Sequence, residues 1–317
     1  MQTIRFVCGM FGPEFLPGTR YLVPIYGFGD GNLSLALAPT NYSFENILME
    51  LNPKISREKA VLVIRNNNPR LRNAFTPEFM EGVRAALNIA NVDTSIGAVV
   101  LAGVGQHFCA GGDLRSLQAR RVLSRRQREV SLTRLNEMIL AIHHCKKPVI
   151  AAVEGYAVGA GFALALACDL IVAATDATFK ASYVAIGLTP DGGTTASLAA
   201  SLPRQLINQL CMTGDPIGAR RLNALGVVNL LADPGGAYQD ALTLANRLGN
   251  GPSRAICRIK QLNISARQAS FADQLQVEAR LMAESMGDSE SGEGISAFLD
   301  KREADFTNCS STSSGGQ

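Results

Sequence analysis

Residues 146–173 read KKPVIAAVEGYAVGAGFALALACDLIVA, and this stretch decides the fold. Two apolar runs flank its centre, PVIAAVEG (148–155) and DLIVAAT (169–175). Both are short, rich in Val, Ile and Ala, and bounded by turn or charged residues, which predicts buried strands. Between them GFALALAC is apolar on every side, a buried helix opening at Gly159, Ala160 and Gly161. A strand, a glycine turn, a helix and another strand in so short a span predict an α/β fold.

The same grammar extends outward. AVLVIR (60–65) and AVVLAG (98–103) are further buried strands. The segment between them, TPEFMEGVRAALNIA, begins with Thr76 as a helix cap and Pro77 at the first helical position. From Pro252 the pattern turns helical only, through PSRAICRIKQLNIS, SFADQLQVEARLMAESM and GISAFLDKR. Residues 307–317 are a polar, low-complexity tail, expected to be disordered. Residues 1–48 are dense in Gly, Pro and aromatics without a sustained period, which predicts an irregular N-terminal extension. The chain therefore divides into that extension, an α/β core over 49–251, a helical region over 252–306 and the tail. The core is expected to begin near Met49, with residues 1–48 either appended to it or lying upstream of the true start.

Composition excludes several classes. The chain has 317 residues, enough for a large core without disulfides. A net charge of +3 is too small to point to nucleic acid. No clean run of about 18 apolar residues suggests a membrane span, and the first 48 residues do not read as a secretory signal. Seven cysteines and three histidines show no metal-like spacing, so reduced thiols, a cytoplasmic setting and no metal are expected. Arg120, Arg121, Arg125, Arg126 and Arg128 form a basic run, read as a solvated helix face or an electropositive rim for ligand phosphates.

Two strands end in glycine turns that lead into helices: AVVLAGVGQHFCAGGDLRSL, with Gly111 and Gly112, and VIAAVEGYAVGAGFALALAC, with Gly159 and Gly161. Glycine admits close backbone approach, and a helix start leaves N–H groups without intrahelical partners. Such turns serve tight packing, or, facing each other, each place one N–H on a single oxygen atom as an oxyanion hole. Neither fits G-x-G-x-x-G with an acidic residue about 20 positions on, which excludes a dinucleotide fingerprint.

Taken together the motifs NNPRLRNAF, GQHFCAGGDL, KKPVIAAVEGYAVGAGFALALACDLIVA, ATFKASYVAIGLTPDGGTT, LTLANRLGNGPSRAICRIKQLN and EGISAFLDKREADF resemble the enoyl-CoA hydratase/isomerase (crotonase) superfamily over about residues 49–306. The resemblance implies a crotonase (ClpP-like) spiral of ββα units with a helical trimerisation region, assembled as a homotrimer or a dimer of trimers. It implies an acyl-CoA thioester substrate, with coenzyme A as part of that substrate and no separate cofactor. Carried over by position, it implies oxyanion-hole N–H groups at Gly112 and at Ala160, where many relatives have glycine. Ala110, Gly111, Asp113 and Leu114 around the first turn are implied to line the substrate. Arg70 and Lys301 match basic residues that reach coenzyme A, Lys301 from a neighbouring subunit.

The sequence departs from the hydratase pattern at both of its glutamates, where it has Ala163 and Tyr183. Alanine cannot transfer a proton, and a phenol with an ordinary pKa near 10 is a poor base. Asp191 in GLTPDGGTT matches the catalytic aspartate of relatives that shift double bonds, although P-D-G-G is also a turn sequence. Within the family the pattern is most like the epoxyphenylacetyl-CoA isomerase branch, which lacks both glutamates and has an aromatic residue matching Tyr183. The expectation is an isomerase or lyase with Gly112 and Ala160 on the thioester oxygen and Asp191 moving a proton. The alternatives are a hydratase and a non-catalytic acyl-CoA-binding protein. Glu154 reads as structural, His143 and His144 as a solvated helix end, His107 as lining, and Cys109 as a packed residue without a base.

Overall fold

The computed structural model describes residues 5–6, 21–26, 33–37, 52–307 and 309. The chain divides into two compact units, Met1–Leu51 and Asn52–Gln317. In the first, strand β1 (Arg5–Phe6) runs parallel to β2 (Tyr21–Tyr26), which pairs antiparallel with β3 (Leu33–Leu37). The stretch read as irregular thus carries three short strands, and the rest of it lies outside the described residues. So does the tail, apart from Thr307 and Cys309.

The second unit is organised by a six-stranded sheet in the order β12-β9-β7-β6-β5-β4. Its members are β4 (Lys54–Glu58), β5 (Val61–Asn66), β6 (Ala98–Gly103), β7 (Val149–Val153), β9 (Leu170–Ala174) and β12 (Leu230–Ala232). All pairs are parallel except β4 with β5. Every residue of β7 is buried, which explains why these strands read as continuous apolar runs without alternation. The Ala237–Gly249 helix lies across this sheet, burying Ala237, Ala241, Leu242, Leu244 and Ala245 at helical spacing.

The Pro77–Val92 helix begins where expected, with the Thr76 hydroxyl accepting from the Phe79 N–H at 3.2 Å. It buries Phe79, Val83, Ala86, Leu87 and Ala90 and packs on the Arg125–His144 helix. A second sheet, β11-β10-β8, joins Pro216–Gly218, Thr178–Lys180 and Tyr156–Val158. That sheet was not legible as such in the sequence, because three-residue strands carry almost no period. Its strand β8 leads straight into the Ala160–Ala167 helix, and so aims the second glycine turn.

After residue 252 the chain is helical: Ser253–Ser265, Phe271–Met286 and Ser289–Leu299. These helices bury few apolar side chains, while Ile259, Phe271, Leu275, Met282, Met286, Ile295, Phe298 and Leu299 are exposed. The first is tied to the core by Lys260, whose buried ammonium donates to Asp169 Oδ2 at 2.7 Å and to the Ile142 carbonyl at 3.0 Å. Among the described residues no helix is long and apolar enough to cross a membrane.

Candidate active site

The two glycine turns meet. Gly111 has a φ of +85°, and a Cβ placed on it would lie 2.6 Å from the Val158 carbonyl oxygen and 3.2 Å from the Ala160 nitrogen. Only a residue without a side chain lets the first turn touch the second so closely. The first turn is held by Phe75 N–H donating to the Gly111 carbonyl at 2.8 Å, Ala110 N–H to the Arg72 carbonyl at 2.9 Å, and the Cys109–Ala157 bridge. Across from it, Gly159 takes φ +55° and ψ −124°, a conformation open to glycine alone, so that the helix can start at Ala160. Among the described residues, neither the Gly112 nor the Ala160 N–H donates to a protein acceptor. Two free donors on touching turns, one of them at a helix N-terminus, form a place for an oxygen that gains negative charge.

A carboxylate is linked to the second of these turns. The Tyr183 hydroxyl donates to Asp191 Oδ1 at 2.9 Å and lies 3.1 Å from Thr194 Oγ1, which also donates to the Asp191 carbonyl at 2.8 Å. The Tyr183 ring faces Gly159: a Cβ built there would be 3.9 Å from Cζ. The Asp191 loop presses on the second-turn helix, since a Cβ on Gly192 would come 3.0 Å from the Ala163 Cβ. Ala110, Gly111, Gly112, Ala160, Tyr183 and Asp191 are thus joined by a continuous chain of contacts.

The enoyl-CoA hydratase/isomerase sequence profile matches residues 56–309. The chain belongs to the enoyl-CoA hydratase/isomerase family. Its similarity to 2,3-dehydroadipyl-CoA hydratase of Escherichia coli (strain K12) is 31% identity over 256 residues, 80% of this chain and 97% of that protein. The 1,2-epoxyphenylacetyl-CoA isomerase of the same organism is 31% identical over 251 residues, covering 79% of this chain and 96% of its own length. Among solved structures, an enoyl-CoA hydratase from Polaromonas sp. JS666 superposes with a TM-score of 0.78 at 43% identity, covering 80% of this chain and 98% of that one. These likenesses bear out the crotonase-type α/β fold.

Within this enzyme, burial holds the Asp191 carboxyl above the ordinary carboxylate range, although the Tyr183 hydrogen bond and the Arg120 charge both pull it down. Burial, reinforced by the Asp191 charge, pushes the Tyr183 phenol well above its usual value, so it stays protonated and acts as a donor. Cys109 is fully buried and its thiol is pushed up to about 12 by that burial, which removes it as a nucleophile.

The remaining sequence candidates fall around the rim or outside it. Asp113 caps the Leu114–Arg120 helix, accepting from Arg115 N–H at 3.2 Å and Ser116 N–H at 3.1 Å. Leu114 follows it, largely exposed. Arg70 sits exposed on the Pro69–Leu71 turn, two residues before the Arg72 carbonyl that holds the first glycine turn. Lys301 is exposed just beyond the Ser289–Leu299 helix, and among the described residues no hydrogen bond or ion pair joins its side chain to the glycine turns. Glu154 is structural: its carboxylate accepts from Gly235 N–H at 3.1 Å and Ala237 N–H at 2.7 Å, at the start of the Ala237–Gly249 helix. The His107 ring packs against Tyr156 at a tilt of 36°, with ring centroids 4.9 Å apart.

Three residues escaped the sequence reading. Thr194, buried and bonded to both Asp191 and Tyr183, sits three positions past the aspartate, the spacing of a local turn bond. Arg120 was grouped with a solvated basic run, yet it is half-buried and its charge acts on Asp191, while Arg121, Arg125, Arg126 and Arg128 are exposed. Asn73, buried with φ +58°, donates to the Val104 carbonyl at 3.0 Å and the His107 carbonyl at 2.6 Å, fixing the loop that leads to the first glycine turn. An asparagine tolerates that φ, and the Asn66, Asn67, Asn68 run before it was the available signal.

Proposed function

We propose that the protein is an acyl-CoA isomerase in which Gly112 and Ala160 hold the thioester oxygen and Asp191 moves a proton. The ionised Asp191 takes a proton α or γ to the thioester, and the C–H electron pair moves into the carbonyl, whose oxygen becomes an enolate facing the two N–H groups. Return of that proton at another carbon shifts the double bond. The observation that carries this reading is the Asp191 carboxylate, hydrogen-bonded at 2.9 Å by the Tyr183 hydroxyl, on a loop that passes close to Ala163. The two positions that carry glutamates in the hydratase pattern hold a methyl group and a protonated phenol. Addition of water needs a group to activate the water and one to protonate the α-carbon, whereas a proton shuttle needs one.

The reading includes Arg70 and Lys301 as contacts to coenzyme A phosphates, Ala110, Gly111, Asp113 and Leu114 as the rim of the thioester site, and a cytoplasmic setting. It also includes a homotrimer or dimer of trimers, supported by the exposed apolar face of the last three helices, because such patches rarely stay in water. Light scattering on the purified chain measures that assembly directly.

The deciding assay compares 3-hexenoyl-CoA and crotonyl-CoA as probes, following conjugated-thioester absorbance. Isomerisation of the first, lost by at least about a hundredfold in Asp191→Asn with acyl-CoA binding intact, is the expected outcome. Rapid hydration of crotonyl-CoA that survives Asp191→Asn would instead establish a hydratase, as the dehydroadipyl-CoA relative is named. No turnover of any unsaturated acyl-CoA, with binding retained, would establish a non-catalytic acyl-CoA-binding protein.

A further inference from the structure

Tyr183 does more than occupy a position where a glutamate is absent. Its side chain faces both halves of the site: a Cβ built on Gly159, the residue before the Ala160 donor, would lie 3.9 Å from the ring Cζ, and the hydroxyl is 2.9 Å from Asp191 Oδ1. It is buried, so its rotamer is fixed by packing. Among the described residues no side chain donates to the other Asp191 oxygen, Oδ2. The protons can be counted. The phenol has one, and a carboxylate is a stronger acceptor than a neutral hydroxyl, so that proton lies toward Asp191. The Thr194 hydroxyl also has one, shared between the Asp191 carbonyl oxygen at 2.8 Å and the phenol oxygen at 3.1 Å. Both ends of the phenol O–H are therefore engaged, and among the described residues Tyr183 is the one side chain that donates to the carboxylate.

We infer that Tyr183 is a positioning residue: its O–H clamps Asp191 Oδ1 and its ring fixes the span to the Ala160 donor, leaving Oδ2 to exchange a proton with the acyl chain. The inference rests on Asp191 being the group that moves the proton. Tyr183 itself stays protonated throughout, and no bond to it forms or breaks. Its second effect follows from the same contact. A hydrogen bond given to a carboxylate favours the ionised form, so the tyrosine keeps a half-buried acid available as a base near neutrality.

The test is exchange of the α-proton of butyryl-CoA in D2O, read by mass spectrometry across pD, because exchange reports enolate formation without knowledge of the natural acyl group. In Tyr183→Phe the acid limb of the rate profile is expected to move up by about one to two pH units. That shift corresponds to a hydrogen bond to a charged group of roughly 1.5–3 kcal/mol at about 1.4 kcal/mol per unit. The plateau rate is expected to fall about tenfold, part of the roughly 10²–10⁴ that a positioned acid–base group contributes, with butyryl-CoA affinity unchanged. Replacing Tyr183 by 3-fluorotyrosine, close in size and a stronger donor, moves the limb the other way. An acid limb in folded Tyr183→Phe that overlays the wild type overturns the inference. Should that variant not fold, an unshifted or upward-shifted limb in the fluorotyrosine protein overturns it. Asp191→Asn separates the two levels: loss of exchange there with an unshifted Tyr183→Phe profile sinks only the positioning role. Wild-type exchange in Asp191→Asn sinks both.

Discussion

Replacing Gly111 by alanine tests the oxyanion hole while keeping both backbone donors, with the new Cβ placed 3.2 Å from the Ala160 nitrogen. Two costs follow from its geometry. The φ of +85° is one that side chains rarely adopt, and holding a non-glycine residue in such a region costs about 1–3 kcal/mol. The new Cβ also meets the Val158 carbonyl oxygen at 2.6 Å, a backbone atom with little room to retreat. Val158 donates to the Cys109 carbonyl at 2.9 Å and lies on β8, which pairs with β10, so pushing it moves the lead-in to Ala160. The turns must separate, and one N–H leaves the shared oxygen. Loss of one such donor costs about 10²–10³ in turnover, roughly 3 kcal/mol of barrier. Gly105 supplies the control, because it has φ +81° but its nearest neighbour would be the Pro69 Cβ at 3.6 Å. Gly105→Ala is expected to lose stability to urea on the same scale while retaining α-proton exchange on butyryl-CoA. Gly111→Ala is expected to lose both. A folded Gly111→Ala protein exchanging at the wild-type rate would refute the claim that the contact between the turns sets the hole.

Lys260→Met should lower stability to urea by about 1.5–3 kcal/mol, because it removes the buried ammonium that donates to Asp169 Oδ2 at 2.7 Å. Burial already raises the Asp169 pKa, so the folded state takes up its proton more readily than the unfolded one. Stability from this site is therefore lost as pH rises through the folded pKa, and the variant's deficit should be smaller in acid than above neutrality; a pH-independent deficit would contradict this. Glu154→Ala removes the acceptor of two N–H groups at a helix start and should cost about 0.5–2 kcal/mol. Exchange on butyryl-CoA should be unaffected, and its collapse in a folded variant would make Glu154 part of the chemistry.

Much of this was legible in the chain because strands β5, β6, β7 and β9 are buried on both faces and read as unbroken apolar runs. Thr76, Pro77 and the glycine turns announced helix starts through local chemistry alone. What stayed hidden depends on contacts distant in sequence. Strands β8, β10 and β11 have three residues each, and only their pairing makes them a sheet. Tyr183 and Asp191 each stood out singly, but their bond did not, because a phenol and a carboxylate eight positions apart have no fixed relation until the Ser182–Ile186 turn sets one. The role of Arg120 was masked by its neighbours: five arginines read as one surface run, and burial distinguishes the one whose charge reaches Asp191.

The structure also links the two departures from the hydratase pattern to the aspartate that accompanies them. Ala163 is buried, and a Cβ built on Gly192 would come 3.0 Å from the Ala163 Cβ and 3.5 Å from Leu135 Cδ2, so the Asp191 loop passes close to residue 163. A glutamate there would displace the loop that carries Asp191. Tyr183, at the other position, is the side chain that holds Asp191 in place. A small residue at 163 admits the loop, an aromatic donor at 183 anchors its carboxylate, and glycine at 192, with φ +57°, lets the chain turn between them. On the proposed mechanism, a glutamate at 163 would crowd the Asp191 loop, and one at 183 would remove the hydroxyl that donates to Asp191. The geometry predicts that positions 163, 183 and 192 are coupled, so that a double-mutant cycle on α-proton exchange should show their effects to be non-additive.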